Sequence, residues 1–183
     1  VANNTGGAVF SNVQIRRITD EEIHGAPDEF GNLIGGFDHV LHGLDWGFYP
    51  DPNHYSLVHY DASRLTLYIF GELRKWKTGN KDMWQALTEY GLLPDDMLIA
   101  DSAEPKSVAD FREYGSNCRG AEKGKESVKY SMKWLQSLKA IVIDNERAPY
   151  SAAEFLDYEF ERSRDGEIIN AYPDANNHAI DSV

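Results

Sequence analysis

The sequence predicts an α/β domain on a mixed sheet, with three antiparallel strands, then parallel strands, flanking helices and a late β-hairpin. Three observations predict it. Three β-rich runs between residues 40 and 73 are joined by short turns, the pattern of a meander. From residue 97 onward, short apolar runs alternate with amphipathic helical stretches, which implies parallel pairing. Two of the apolar runs break off at a carboxylate, Asp45 and Asp101.

Residues 1–36 read as a linker or edge segment, with Gly6-Gly7 and Gly25-Ala26-Pro27 as breaks. Residues 9–18 alternate well enough for a strand, and Asp20-Glu21-Glu22 is a polar stretch. The domain proper is expected over residues 37–183. Strands are predicted over 40–45, 55–60 and 65–73, with turns at Pro50-Asp51-Pro52-Asn53 and Asp61-Ala62-Ser63-Arg64. Asn80 can cap a helix through Tyr90, with Met83, Trp84 and Leu87 on one face and Gly91 as its stop. A short buried strand follows over 97–100, then a helix near 107–114 and a strand near 118–121. The helix predicted over 126–138 has Val128, Met132, Leu135 and Leu138 as its apolar stripe. Residues 140–143 make one more strand and 150–155 a short helix. Residues 158–172, centred on Arg164-Asp165-Gly166, read as the hairpin. A last helix begins near Asn177. This order describes a ribonuclease H-like sheet, with one acid on the first strand, one on the next parallel strand and one on a late helix.

At 183 residues the chain suits one domain with a real core. A hydrophobic content of 42% argues against disorder. The single cysteine, Cys118, cannot form an internal disulfide and fits a reducing compartment. No apolar run approaches the ~18 residues of a membrane span. The first residue is Val rather than Met, as expected of a fragment or processed chain. A net charge of −12 argues against tight autonomous nucleic-acid binding. Two local basic patches counter it: Lys75 and Lys77, with Arg74 and Lys81, and then Lys123, Lys125 and Lys129, with Arg119 and Lys133. Each is either a DNA contact or a solvated face.

The carboxylates carry the chemistry. A strand ending in Asp puts a carboxylate at the rim of a sheet, where several can converge. Clustered carboxylates repel one another unless a cation neutralises them. Hard oxygen ligands suit Mg²⁺ or Mn²⁺, and two such ions can clamp both sides of a phosphodiester. This points to a metal-dependent nuclease. Asp144 ends an apolar run in the same way but reads as turn chemistry. Other histidines, such as His39, His42, His54 and His59, lack zinc-like spacing and read as structural or exposed.

Gly43-Leu44-Asp45-Trp46-Gly47, Ile99-Ala100-Asp101-Ser102-Ala103-Glu104-Pro105 and Asn177-His178-Ala179-Ile180-Asp181-Ser182 stand in that order along the chain. They resemble the three acidic motifs of the C-terminal nuclease domain of tailed-phage terminase large subunits. The resemblance implies a ribonuclease H-like fold and cleavage of double-stranded DNA by one or two Mg²⁺ or Mn²⁺ ions during viral genome packaging. It also implies Asp45, Asp101 and Asp181 as metal ligands, with Asp174 as the reserve for the third. His178 would hold a ligand in place, shuttle a proton or bind metal itself, or else is a surface histidine of no consequence. The implied partners are an ATPase domain in the full-length chain, the terminase small subunit and the portal, in the host cytoplasm. The chain lacks a Gly-x-x-x-x-Gly-Lys-Ser/Thr phosphate loop, so this piece is not expected to hydrolyse ATP. Two rivals remain open. Asp45-Trp46-Gly47 loosely fits the phosphate turn of an actin-like phosphotransferase, and an acidic docking module would use its carboxylates only as solvated surface.

Overall fold

The computed structural model describes residues 7–124, 127–158 and 178–183; for His178 and Ala179 it describes the backbone alone. The predicted hairpin past Tyr158, Asp174 and Lys125 lie outside the described residues.

The strands are β1 (Val13–Ile15), β2 (Ala26–Pro27), β3 (Leu33–Ile34), β4 (Val40–Asp45), β5 (Asn53–Asp61), β6 (Thr66–Lys75), β7 (Met97–Ala100), β8 (Asn117–Gly120) and β9 (Ala140–Ile143). The helices are α1 (Asp20–His24), α2 (Asn80–Tyr90), α3 (Pro105–Glu113), α4 (Ser127–Ser137), α5 (Pro149–Asp157) and α6 (His178–Ser182). Seven strands form one sheet in the order β1-β9-β6-β5-β4-β7-β8. The β4-β5-β6 meander is antiparallel, and every other pairing in that sheet is parallel. The parallel pairs follow from the helical crossovers, which return the chain to the same edge before each new strand.

The opening stretch supplies more than its polarity suggests. Val13–Ile15 is the outermost strand, in parallel register with β9, and Val9, Phe10 and Ile18 are buried in the core. Asp20-Glu21-Glu22 is not loop but the first turn of α1. Thr19 caps it in a reciprocal box with Glu22, each side chain accepting from the other residue's backbone N–H. The Thr-x-x-Glu spacing carries that signal in the sequence. The predicted strand over 9–18 shrinks to three residues because only these reach the β9 ladder.

Alternation along the strands sorts side chains onto two faces. Leu44, Tyr55, Leu98 and Ala100 face α2 and α3, where Met83, Leu87, Val108 and Phe111 complete one core. On the other face Val58, Leu67, Ile69, Ile141 and Ile143 pack with Met132 and Leu135 of α4, Phe155 of α5 and Ile180 of α6. Cys118 lies buried in the first core, and burial pushes its thiol up to about 11. That is the behaviour of a passive core residue.

Candidate functional site

The parallel register of β4 and β7 builds the site. Leu44 stands opposite Ala100, so the next residues, Asp45 and Asp101, leave the two strand ends side by side. Adjacent strands are about 4.8 Å apart. The Asp101 amide donates to the Leu44 carbonyl at 3.1 Å, and the Trp46 indole donates to the Asp101 carbonyl at 3.0 Å. Trp46 itself is held edge-on against Phe111. The two acidic segments are thereby locked together by backbone and a buried ring.

Asp45 is 8% exposed. Asp101 is half-buried; its Oδ1 accepts from the Ala103 amide at 2.8 Å and from Lys123 Nζ at 2.7 Å. Burial pushes the Asp101 carboxyl up, but the bond from Lys123 and the Ala103 amide outweigh this and hold it below the ordinary aspartate value. Lys123 thus places a cation where a carboxylate at this rim demands one. Asp181 lies on α6, on the wall of a cavity of about 570 Å³ that Asp101, Lys123, Gly43 and Ile99 also line. Among the described residues no three His, Cys, Asp or Glu side chains converge closely enough to hold an ion. The site as it stands is a strand-end pair, Asp45 and Asp101, of which Asp101 alone shares the cavity with Asp181. Its donors are hard oxygens, which fit Mg²⁺ or Mn²⁺ rather than a thiolate-seeking metal.

The placement of α6 depends on Gly43. This residue faces the helix, and a Cβ there would overlap the Ser182 carbonyl oxygen. Beside it, the Ser56 and Ser182 hydroxyls share a hydrogen bond. Gly43→Ala is therefore expected to push α6 off the sheet, lower the melting temperature by several degrees and weaken Mn²⁺ binding. Thermal denaturation and calorimetric titration check both. An unchanged melting temperature with unchanged Mn²⁺ affinity would show that α6 does not depend on the glycine.

Sequence reasoning missed what lies behind Asp45. His54 pairs with Asp45 across β4 and β5, and with Arg74 across β5 and β6. Cross-strand partners share a face, so the three side chains form a row. His54 is fully buried, and Arg74 Nε donates to its Nδ1 at 2.8 Å. An arginine can only donate, so Nδ1 accepts and the His54 ring is neutral with its proton on Nε2. Arg74 also pairs with Glu154 of α5, and its guanidinium carbon sits 4.5 Å from the centre of the Tyr150 ring. The spacing of these residues, on four different elements, carried no sequence signal.

Glu72 neighbours this row, with Oε1 accepting from the Ser151 amide at 3.0 Å. Burial pushes its carboxyl up to about 7, against the opposing pull of Ser151 and Arg74. The folded protein therefore keeps a proton that the unfolded chain releases near 4.5. Stability should fall as pH rises from there to about 7 and stay lowered above it. Glu72→Gln should flatten that slope and gain up to about 3 kcal/mol over the parent at pH 8. Urea denaturation across pH checks this; a parallel pair of stability curves would exclude it.

The other sequence candidates are distributed as follows. Lys75 and Lys77 are exposed at the end of β6, and Lys129 is exposed on α4. Lys123 is committed to Asp101. Asp144 is fully buried and serves its turn: Oδ2 accepts from the Ile18 amide, and Oδ1 from Glu146 and Arg147. His42 bonds the Tyr55 hydroxyl, and His59 bonds the His39 carbonyl.

Known proteins resolve the family. The sequence profile of the Terminase RNAseH like domain matches residues 45–183. The chain belongs to this terminase family. It is 34% identical to the terminase large subunit of Bacillus phage SPP1 over 186 aligned residues, covering 100% of this chain and 41% of that protein. It thus spans about two fifths of that relative's length. The structure superposes on the nuclease domain of the SPP1 large terminase, solved with bound Mn, with a TM-score of 0.81 at 33% identity, covering 94% and 93% of the two chains. The large terminase nuclease of thermophilic phage G20c, solved with bound magnesium, shares the fold at a TM-score of 0.59 and 14% identity, covering 96% and 94%. The mixed sheet described above is therefore the ribonuclease H-like fold of the terminases, and membership of this family sets aside the actin-like phosphotransferase. Among the described residues, no helix is long and apolar enough to cross a membrane.

Proposed function

We propose that this terminase domain is a divalent-metal-dependent endonuclease that cuts double-stranded viral DNA during genome packaging, with little sequence specificity in isolation. The observation that carries this reading is the side-by-side exit of Asp45 and Asp101 from neighbouring parallel strands, with a helix that brings Asp181 to a cavity that Asp101 also lines. Asp45, Asp101 and Asp181 would hold Mg²⁺ or Mn²⁺, one ion or two. A bound ion of this kind activates water and stabilises the leaving oxygen. The chain's own residues do the rest. Asp45 and Asp101 would present oxygens from a fixed rim, and Lys123 neutralises Asp101. Lys75, Lys77 and Lys129 draw in the phosphates, together with Lys123 and Lys125. His178 lies on the same short helix as Asp181 and would support it or move a proton. In this reading residues 37–183 carry the nuclease, and the opening stretch braces the far edge of the sheet.

The domain would act in the host cytoplasm as part of a longer chain with a packaging ATPase, beside the terminase small subunit and the portal. Among the described residues no helix presents a base-reading set of side chains, so binding would rest on phosphates and weaken steeply with salt. Supercoiled plasmid is the test. Nicking and linearisation are expected with Mn²⁺ or Mg²⁺ and none with chelator. Failure to cut with either metal would leave an acidic docking module of the packaging machine.

A further inference from the structure

A second surface lies on the same rim as the carboxylates. β4, β6, β7, β8 and β9 all run in one direction, so their C-terminal ends share one edge of the sheet. Asp45 and Asp101 leave β4 and β7. Lys75 ends β6, two strands to one side, and Lys123 follows β8 on the other. β6 is about 10 Å from β4, across β5, whereas β8 lies directly beside β7, about 5 Å away.

On the β6 side the lysines are interleaved with aromatic rings. Phe48 is 57% exposed, Tyr49 65% and Trp76 41%. Rings this exposed are costly unless they meet a partner. They do not sit on a loose loop. Buried Asn53 clamps both segments, accepting from the Gly47 amide at 3.0 Å and donating to the Thr78 carbonyl at 3.1 Å. The Lys77 amide donates to the Phe48 carbonyl at 2.6 Å, and Lys77 Nζ lies 4.6 Å from the centre of the Tyr49 ring. Trp76 rests edge-on against Tyr150. Lys77 holds a φ of +52° to make this join, a conformation that non-glycine residues adopt only when surroundings impose it. Asp51 is the only carboxylate in the loop between β4 and β5.

We infer that Phe48, Tyr49 and Trp76, with Lys75 and Lys77, form a stacking platform for unpaired nucleotides of a DNA strand beside the Asp45–Asp101 rim. Flat apolar rings gain little from an intact duplex, whose base faces are already stacked. They gain much from exposed bases, while the lysines meet the phosphates. The inference rests on the reading of this rim as a DNA site and adds the form of DNA that one flank prefers.

Fluorescence polarisation with a labelled single-stranded oligonucleotide and with its duplex, both in EDTA, tests it. Phe48→Ala, Tyr49→Ala and Trp76→Ala should each weaken single-strand binding about tenfold and duplex binding less than about twofold. Trp76→Phe keeps a ring and should bind within about twofold of the parent. Single-stranded DNA should also quench tryptophan fluorescence, and Trp76→Phe should remove most of that quench. Lys77→Ala should reduce the salt slope of binding by about one. Equal losses on both forms of DNA, or no loss on the single strand, would overturn the platform. If those variants bind normally while the parent still cuts plasmid, the platform fails and the nuclease stands. If the parent binds no DNA of either form and cuts none, both fail.

Discussion

Asp45→Asn and Asp101→Asn are each expected to lower plasmid cleavage in Mn²⁺ by about a thousandfold, the loss of roughly 4 kcal/mol of transition-state stabilisation. The fold should survive. Removing one of two neighbouring carboxylates relieves repulsion, and the Asp101–Lys123 pair is too solvent-exposed to contribute more than about 1 kcal/mol. Circular dichroism should therefore show native melting while calorimetry shows weakened Mn²⁺ binding. Asp181→Asn should be milder, because Asp181 is exposed on a helix of five residues and is held by the packing of Ile180. Asp144→Asn is the control. That residue also ends an apolar strand, yet it is occupied by its own turn, and its loss should cost stability without touching metal affinity. Full cleavage by either Asp45→Asn or Asp101→Asn would end the assignment of the rim as the cutting site.

Arg74→Ala should destabilise the protein by about 3–5 kcal/mol, as expected when one partner of a buried ion pair is removed. Arg74 and Glu154 are each only 8% exposed at the side chain. Truncating the arginine removes the ion-pair partner of a buried carboxylate and the donor to His54 Nδ1. A loss of that size is a large part of a typical domain's stability, so the double variant Arg74→Met with Glu154→Leu is informative. It should recover most of the loss, since the uncompensated charge is gone. Cleavage should not recover with it if the arginine also holds His54 and Asp45 in place. Urea denaturation and plasmid cleavage, measured on the same preparations, separate the two effects. A loss below about 1 kcal/mol for Arg74→Ala would mean that Glu154 is satisfied without it.

Asp45 and Asp101 were visible as carboxylates ending apolar runs, because a strand's apolar pattern and its break are local features. The meander, the change to alternating strands and helices, and the α4 stripe were legible for the same reason. Helix ends moved by one or two residues, as with α3, which starts at Pro105 rather than near Ser107. There a proline in the first turn, favoured because its missing N–H is not needed, outweighed the apolar pattern. α1 was missed although Thr19 and Glu22 spell its cap, because five residues are too few to show a period.

The sequence by itself determined most of the longer elements and the order of the acids. Only the tertiary structure decided which acids stand together. Asp45, Asp101 and Asp144 look alike along the chain. Register sets the first two side by side, and a turn with Ile18 and Arg147 consumes the third. The same holds for the His54–Arg74–Glu154 row and for the aromatic rim. Each is assembled from residues far apart in sequence, and pairing across a sheet is a long-range choice that no local pattern records.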